Sequence, residues 1–282
     1  MNVLVVGAAG QLGRAIVSRL SRDHLVTACT RHDVDLANHR AVRAFVLDHQ
    51  PQAIVNCAAY NNVDGAEDDP RTALDVNAMA VRTLARAAET LGAVLMHYST
   101  DFVFSGTATS PYTEEDLPEP QSVYAQSKLV GEWLAADWAR HYVVRVESLF
   151  GGPHARSSVD RIADAVRAGR QAPVFFDRTV SPSFVDDVAE ASADMLVRQI
   201  PFGLYHGVNT GAATWLEVGR EIARLLHQPD TTLTPVSVND VKLRAPRPQY
   251  AALSNAKLAA AGFVMPTWQD ALARYLEGGR AA

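Results

Sequence analysis

The fold follows from a short stretch near the start of the chain, VLVVGAAGQLG, which occupies residues 3–13. Its four leading apolar residues predict a buried strand, and Gln11 opens a segment with helical periodicity. Glycines between a strand and a helix permit a tight turn and let the backbone approach a pyrophosphate, which the free N–H groups of the helix N-terminus can bind. The spacing is GxxGxxG rather than GxGxxG, but its position directly after a strand favours a dinucleotide site over an ordinary strand-to-helix turn. We therefore predict that Gly7, Gly10 and Gly13 form the phosphate-binding turn.

Outward from this stretch, short apolar runs alternate with longer segments of helical periodicity. The predicted strands are 3–6, 25–29, 53–57, 93–98 and 142–146, and the predicted helices are 11–20, 40–48, 70–91 and 124–140. Strands that are apolar on both faces and alternate with helices are typical of a parallel sheet covered on both sides. The predicted fold class is therefore α/β, with a Rossmann-type doubly wound parallel sheet.

The pattern becomes irregular after Gly151-Gly152-Pro153, where proline clusters replace the regular alternation. We predict that residues 1–150 form an NAD(P)-binding Rossmann domain and that residues 151–282 form a smaller C-terminal substrate lobe. This lobe is expected to be partly interwoven with the first domain, because residues 204–208 look like a strand that returns to the main sheet.

Composition restricts the classes of partner. The net charge of -5 offers no electrostatic reason to bind a polyanion, so nucleic acid is not an expected partner. Neither a signal peptide nor a membrane-spanning run is expected, because the apolar run at the start ends at Gly7. Cys29 and Cys57 have neither disulfide-framework nor C-x-x-C spacing and are interpreted as reduced core residues. These features predict a soluble cytoplasmic protein without a membrane partner.

The end of the second predicted strand should meet the adenosine ribose of a dinucleotide. An arginine there accommodates the 2′-phosphate of NADPH, whereas an acidic residue binds the ribose hydroxyls of NADH. Arg31 follows this strand and favours NADPH. Asp33 and Asp35 lie close enough to compete, so NADH stays open, as does a purely solvent-exposed role for Arg31. Asp35 and Leu36 are expected to frame the adenine.

A catalytic pair is expected at the start of the last predicted helix. Tyr124 and Lys128 lie four residues apart and therefore share one helical face. An ammonium beside a phenol should lower the tyrosine pKa toward the working pH, which suits a general acid acting on a ketone.

The fourth predicted strand leads into Ser99-Thr100-Asp101, at the sheet edge where α/β proteins bind ligands. The Thr100 hydroxyl could donate a second hydrogen bond to a substrate carbonyl. The alternative is a loop that merely caps its own backbone. The nine histidines show no paired ligand spacing, so no metal site is expected. Trp215 is interpreted as a packing anchor rather than a platform for sugar stacking.

Taken together, these motifs resemble the extended short-chain dehydrogenases/reductases, and specifically the dTDP-4-dehydrorhamnose reductase family. The resemblance is carried by 7–13, 54–60, 63–64, 66–67, 76–78, 99–104, Tyr124, Lys128, 131–132, 203–206, 214–215, 247–248 and Leu253. It implies a catalytic set of Thr100, Tyr124 and Lys128. It also implies that the cofactor is contacted by Gly10, Gln11, Leu12, Ala59 and Tyr60. The substrate contacts that it implies come from Thr100, Asp101 and Arg247.

The sequence departs from the family pattern on the substrate side. Ser148 stands where family members carry a tryptophan, and Tyr250-Ala251 replaces the usual Asn-Ser after Arg247-Pro248. The leading hypothesis is an NAD(P)H-dependent reductase of the 4-keto group of a nucleotide-activated 6-deoxy sugar. A nucleotide-sugar epimerase is the enzymatic alternative; a dehydratase is disfavoured because Phe102, not glutamate, follows Asp101. A non-catalytic NADP-binding regulatory subunit, of the methionine adenosyltransferase beta type, and a homodimeric assembly also stay open.

Overall fold

The computed structural model describes residues 1–153 and 156–278. The first half contains β1 (Asn2–Val6), α1 (Gln11–Leu20), β2 (Leu25–Cys29), α2 (His39–His49), β3 (Ala53–Asn56), α3 (Val63–Asp68), α4 (Pro70–Leu74), α5 (Ala80–Leu91), β4 (Val94–Thr100), α6 (Val123–Ala136) and β5 (His141–Val146). The second half contains β6 (Leu149–Phe150), α7 (Ser158–Arg167), β7 (Ala172–Phe175), β8 (Thr179–Val180), β9 (Ser183–Phe184), α8 (Val185–Arg198), β10 (Gly203–His206), β11 (Ala213–Thr214), α9 (Trp215–Leu225), β12 (Leu233–Val236), α10 (Ala256–Ala260) and α11 (Trp268–Glu277).

The main sheet has six strands in the order β10-β5-β4-β3-β1-β2, and every pairing within it is parallel. Its central strands are buried on both faces because helices cover both sides, which explains their continuous apolar runs. The predicted doubly wound α/β class is confirmed. All carboxyl ends of the strands lie at one edge, which places the glycine turn after β1 and Ser99-Thr100 of β4 on the same edge of the sheet.

Two helix predictions need correction. The segment predicted as one helix over 70–91 is divided by a π-helical turn, Asp75–Met79, between α4 and α5. A wider turn inserts one residue without changing the apolar pattern visibly, so periodicity did not reveal it. The last helix of the first half ends at Ala136 rather than at residue 140, and Trp138 beyond it donates its indole N–H to the Ala93 carbonyl at 2.8 Å.

The second half of the chain packs against the first half. Strand β10 pairs with β5 at the sheet edge, so the segment predicted at 204–208 does extend the main sheet. Helix α8 packs against α1, where Arg19 and Glu190 form an ion pair at 2.5 Å. The boundary at residue 150 stays a prediction, and residues 154–155 and 279–282 of the predicted lobe lie outside the described residues.

A buried ion pair fixes the helix that carries Tyr124. Arg145 on β5 is 2% exposed and donates from Nε and one terminal nitrogen to the two oxygens of Glu132 on α6, at 2.9 and 2.7 Å. A guanidinium and a carboxylate in this paired arrangement have one preferred relative orientation. The pair therefore sets the rotation of α6 against the sheet, and with it the direction of its catalytic face.

Candidate active site

The glycine turn is built for close approach of a ligand. Gly7 has a φ of +78°, a backbone conformation that residues other than glycine rarely adopt. A Cβ added at Gly13 would lie 2.2 Å from the Gly7 carbonyl oxygen, so that glycine lets α1 pack directly against the turn. Gly10 caps α1 without a side chain, which leaves the first N–H groups of the helix directed at open space. This cradle fits the pyrophosphate of a dinucleotide.

A cavity of about 680 Å³ extends from this turn along the carboxyl edge of the sheet. Its volume lies within the range of small-molecule and cofactor sites. The predicted cofactor residues that line it are Gly7, Gly10, Gln11, Leu12, Arg31, Asp35, Leu36, Ala59, Tyr60, Tyr124 and Lys128. Of the predicted set, only Gly13 lies outside this lining, because it packs behind the turn.

Arg31 and the two nearby carboxylates, Asp33 and Asp35, differ in their hydrogen bonds at the predicted adenosine end of the cavity. Asp33 accepts hydrogen bonds from the backbone N–H and the hydroxyl of Thr30, both at 2.8 Å. These bonds lower the Asp33 pKa and commit its carboxylate to its own turn. Asp35 accepts from the Ala37 N–H at 3.1 Å. Arg31 is exposed and lines the cavity, so its guanidinium is the cationic group at this end.

The loop that carries Ala59 and Tyr60 is held by a buried asparagine. Asn77, in the π-helical turn, accepts from the Tyr60 N–H at 2.8 Å and donates to the Tyr60 carbonyl at 3.1 Å. Its amide also donates to the Ser127 hydroxyl at 2.9 Å, which connects the loop to α6. Sequence reasoning included Asn77 only within the family resemblance and assigned it no role; the burial of an amide in an apolar helix was the available signal.

Tyr124 lies at the start of α6, where Ser122 caps the helix by accepting from the Ala125 N–H. The nearby Thr100 side chain acts to lower the pKa of this phenol. The expected lowering of the Tyr124 pKa is not found: burial, with a smaller contribution from Asp101, raises it to about 12. Lys128 contributes no lowering because its ammonium points elsewhere. The phenol therefore stays protonated at neutral pH and has a proton to donate.

Lys128 is 2% exposed and projects beneath the cofactor cavity. Its Nζ donates to the Tyr98 carbonyl at 2.6 Å and lies 3.5 Å from the His97 Nε2. Burial lowers the Lys128 pKa to about 8, and it also holds the pKa of His97 well below its usual value. His97 is a hydrogen-bonded core residue, since its Nδ1 lies 3.0 Å from the Asn56 side-chain nitrogen.

A second cavity of about 420 Å³ adjoins the first, and Tyr124 lines both. Thr100 and Asp101, both predicted to contact substrate, line this second cavity. Ser148 also lines it and has a φ of +44°. Trp215 is 6% exposed, as a packing anchor should be, yet one part of its surface reaches the cavity. The second cavity is thus positioned to hold a molecule that reacts at the end of the first.

The guanidinium in this second cavity belongs to Arg178, which sequence reasoning missed. It donates from Nε to the Pro248 carbonyl at 3.1 Å and lies 5.6 Å from the Phe102 ring centre. Arg247, the arginine predicted to bind substrate, lies 5.8 Å from the same ring but is not part of the cavity lining. It forms an ion pair with Asp64 at 3.0 Å. The structure therefore brings the two arginines near one aromatic ring, with only Arg178 facing the cavity.

Asp101 lines the second cavity, and a second buried carboxylate, Glu147, lies near Asp101. Asp101 accepts from the Thr100 hydroxyl at 2.9 Å, and burial raises its pKa to about 6. Glu147 accepts from the Ser181 N–H at 2.6 Å, and burial together with the nearby Asp101 raises its pKa well above the usual value. Sequence reasoning did not single out Glu147, which directly follows β5 and lies between Val146 and Ser148.

Over residues 1–153 and 156–278, no group of three or more His, Cys, Asp or Glu side chains could hold a metal ion. In the same part of the chain, no helix combines the length and apolar character needed to cross a membrane. Cys29 and Cys57 are both free thiols.

The fold and the Tyr124–Lys128 pair define a Rossmann-type reductase of the extended short-chain dehydrogenase/reductase class. Residues 1–280 match the family described as the RmlD substrate binding domain, and the chain belongs to this family. It is 35% identical to dTDP-4-dehydrorhamnose reductase of Streptomyces griseus, over 95% of this chain and 91% of that one. It is 34% identical to dTDP-4-keto-6-deoxy-D-glucose reductase of Streptomyces niveus, with 95% and 94% covered. The solved structure of dTDP-4-dehydrorhamnose reductase from Bacillus anthracis in complex with NADP superposes with a TM-score of 0.93 at 29% identity, covering 98% of this chain and 99% of that one.

Proposed function

We propose that the protein uses NADPH to reduce the 4-keto group of a dTDP-activated 6-deoxy sugar. The observation that carries this proposal is that Tyr124 lines both cavities, one with a pyrophosphate cradle and one with polar groups for a substrate. A proton donor at such a junction can serve a carbonyl held in one cavity by a molecule bound in the other. The names of the relatives support the sugar nucleotide as the substrate class.

The proposed mechanism assigns one role to each member of the catalytic set. NADPH, when bound in the larger cavity, supplies the hydride. Tyr124 gives its proton to the oxygen of the reduced carbonyl, and with a pKa raised to about 12 the phenol carries that proton at neutral pH. Lys128 uses one N–H on the Tyr98 carbonyl, and an ammonium has two more for a ribose hydroxyl. Thr100 orients the substrate carbonyl.

The preference for NADPH over NADH rests on Arg31. A planar guanidinium binds a phosphate through paired hydrogen bonds, and Asp33, its acidic competitor, is committed to its own turn. The NADP complex of the Bacillus anthracis relative supports the same preference. Asp35 and Leu36 are proposed to frame the adenine, and Ala59 and Tyr60 to line the nicotinamide half of the cavity.

Recognition of the sugar nucleotide is proposed to involve residues that line the second cavity, together with Arg247 beside it. Thr100 and Asp101 meet the sugar, and Arg178 offers a cation for the diphosphate. Arg247 would contribute from its position beside Phe102, for which its ion pair with Asp64 would have to open. Ser148, in place of the family tryptophan, leaves more room for the sugar.

A panel of nucleotide 4-keto sugars, each offered with NADPH and with NADH, tests the function at the nicotinamide absorbance. We expect stoichiometric NADPH oxidation with a dTDP-linked 4-keto-6-deoxy sugar and slower oxidation of NADH. Tyr124→Phe is the matched control, because it keeps the ring but loses the proton donor. NADPH binding without oxidation of any member of the panel would favour the regulatory-subunit alternative instead.

The assembly and location of the protein belong to the same proposal. We propose a homodimer, which light scattering or sedimentation would test directly, since Trp133 on α6 is 61% exposed and large apolar side chains of this kind are often covered by a partner. We also propose a cytoplasmic location, where Cys29 and Cys57 would remain reduced.

A further inference from the structure

The Thr100 hydroxyl has only one proton, and its direction decides what the residue can do. In the structure this proton is donated to the Asp101 Oδ1 at 2.9 Å. The hydroxyl oxygen accepts from the Phe102 N–H at 3.2 Å. An ionised carboxylate can only accept hydrogen bonds. While Asp101 is ionised, Thr100 therefore has no proton left for a substrate carbonyl.

The surroundings of Asp101 favour a carboxyl group that keeps a proton. Asp101 is 3% exposed, and its Oδ2 is buried without a hydrogen-bond partner. Glu147 is 1% exposed and has an unpartnered Oε1 of its own. Two neighbouring carboxylates in a buried site cannot both ionise without a large cost, so the pair tends to share a proton.

The other groups facing Asp101 are Arg178 and Tyr124. The Arg178 guanidinium attracts both carboxylates, yet it forms no ion pair within 4.0 Å with either one in the described residues. The Tyr124 phenol is neutral at neutral pH. Burial raises the pKa of both carboxylates, and the charge of Arg178 lowers it. The net result for Asp101 is a pKa raised to about 6.

We infer that Asp101 is a positioning residue whose protonation turns the Thr100 hydroxyl toward or away from the substrate carbonyl. A protonated Asp101 donates to the Thr100 oxygen, which frees the Thr100 proton for the carbonyl and adds a second donor to that of Tyr124. An ionised Asp101 takes the Thr100 proton back, as in the hydrogen bond that the structure contains. This inference rests on the proposed ketoreductase function and deepens it. It makes the reaction faster on the acidic side of the Asp101 titration.

The pH dependence of kcat, at saturating NADPH and sugar nucleotide, tests the inference. We expect the wild-type kcat to fall as pH rises through about 6. The fall should stop at a lower plateau, because losing one donor to a developing oxyanion costs about 10²-fold to 10³-fold at most. In Asp101→Asn the group no longer titrates, so kcat should become flat between pH 5 and pH 8. An Asp101→Asn profile that keeps the wild-type inflection, with only KM raised, would mean that Asp101 simply binds substrate and would overturn the inference.

Companion variants separate this role from a structural one. Glu147→Gln keeps an oxygen for the Ser181 N–H but removes the second carboxylate, so the inflection should move to lower pH while KM stays within about twofold. Thr100→Val should give a low kcat that does not change with pH. Thr100→Ser should restore the inflection of kcat with pH. A Thr100→Val profile that still inflects near 6 would contradict the proposed route through Thr100.

An infrared titration distinguishes failure of this inference from failure of the proposed function. The carbonyl band of a protonated carboxylic acid, present in wild type and absent from Asp101→Asn, reports the Asp101 proton without turnover. We expect this band to disappear as pH rises through about 6. If no sugar nucleotide is reduced at any pH, the function is wrong while the band still tests the titration. If Asp101 is ionised throughout pH 5 to 8, the inference is wrong whatever the activity.

Discussion

Replacing Lys128 with methionine is expected to stabilise the folded protein while removing its activity. Burial lowers the Lys128 pKa from 10.5 to about 8. Each pKa unit corresponds to about 1.4 kcal/mol, so holding this ammonium in the folded protein at pH 7 costs roughly 3 kcal/mol. Lys128→Met removes this cost. It also removes the hydrogen bond to the Tyr98 carbonyl, worth about 1.5–3 kcal/mol for a charged donor, which offsets part of the gain in stability. A net increase of about 1 kcal/mol in the free energy of unfolding is expected.

The direction in which the free energy of unfolding changes with pH follows from the Lys128 pKa shift. Because the Lys128 pKa is lower in the folded state than in the unfolded state, the unfolded chain binds more protons between about 8 and 10.5. The cost is therefore fully present below pH 8 and disappears as pH rises toward 10.5. Relative to Lys128→Met, the wild type should gain roughly 2 kcal/mol of stability between pH 8 and pH 10.

Urea unfolding, followed by circular dichroism at pH 7, 8, 9 and 10, measures the two curves. Comparing wild type with Lys128→Met cancels groups that titrate in both proteins, such as Cys29, whose pKa is raised to about 11. Lys242→Met is the matched control, because Lys242 is exposed and should give a curve parallel to the wild type. Parallel curves for wild type and Lys128→Met would refute the argument that burial of this ammonium is costly.

Three further substitutions test other parts of the site. Tyr124→Phe should lower kcat by about 10²-fold or more while the NADPH Kd stays within about twofold; retention of most of the turnover would remove Tyr124 from the mechanism. Arg31→Ala should raise the NADPH Kd at least about tenfold and leave NADH binding unchanged, and equal changes for both cofactors would return Arg31 to a surface role. Gly131→Ala should lower the free energy of unfolding by about 1–3 kcal/mol, since its Cβ would lie 2.1 Å from the Asn77 carbonyl oxygen. A free energy of unfolding equal to that of the wild type would show that the backbone around Asn77 shifts easily to make room for the added Cβ.

The fold could be predicted because its strands and helices leave apolar runs and periodic patterns within short stretches of the sequence. The apolar runs at 3–6 and 53–57 are continuous because both faces of a central parallel strand are buried, and periodicity records that directly. The return of β10 to the sheet was also predicted, although β10 is an edge strand. The π-helical turn at Asp75–Met79 was not visible, because it is stabilised by contacts such as the one between Asn77 and Ser127, fifty residues apart.

The site was predictable only where its residues are neighbours in sequence. Tyr124 and Lys128 share one helical face, and the glycine turn is continuous, so spacing revealed both. Arg178 and Glu147 come from separate segments and meet Asp101 only through the tertiary fold. The direction of the Tyr124 pKa could not be read from Lys128 alone, since burial in the folded site outweighs a neighbouring charge that points away.

The most direct test of the proposed function is the fate of the hydride. The protein would be incubated with a dTDP-4-keto-6-deoxy sugar and NADPH carrying deuterium at both C4 positions of the nicotinamide, and the product examined by NMR. We predict one deuterium on the sugar C4 for each NADPH oxidised, with no such product from Tyr124→Phe over the same time. An unlabelled product, or unchanged sugar in the presence of bound NADPH, would contradict reduction at that carbon.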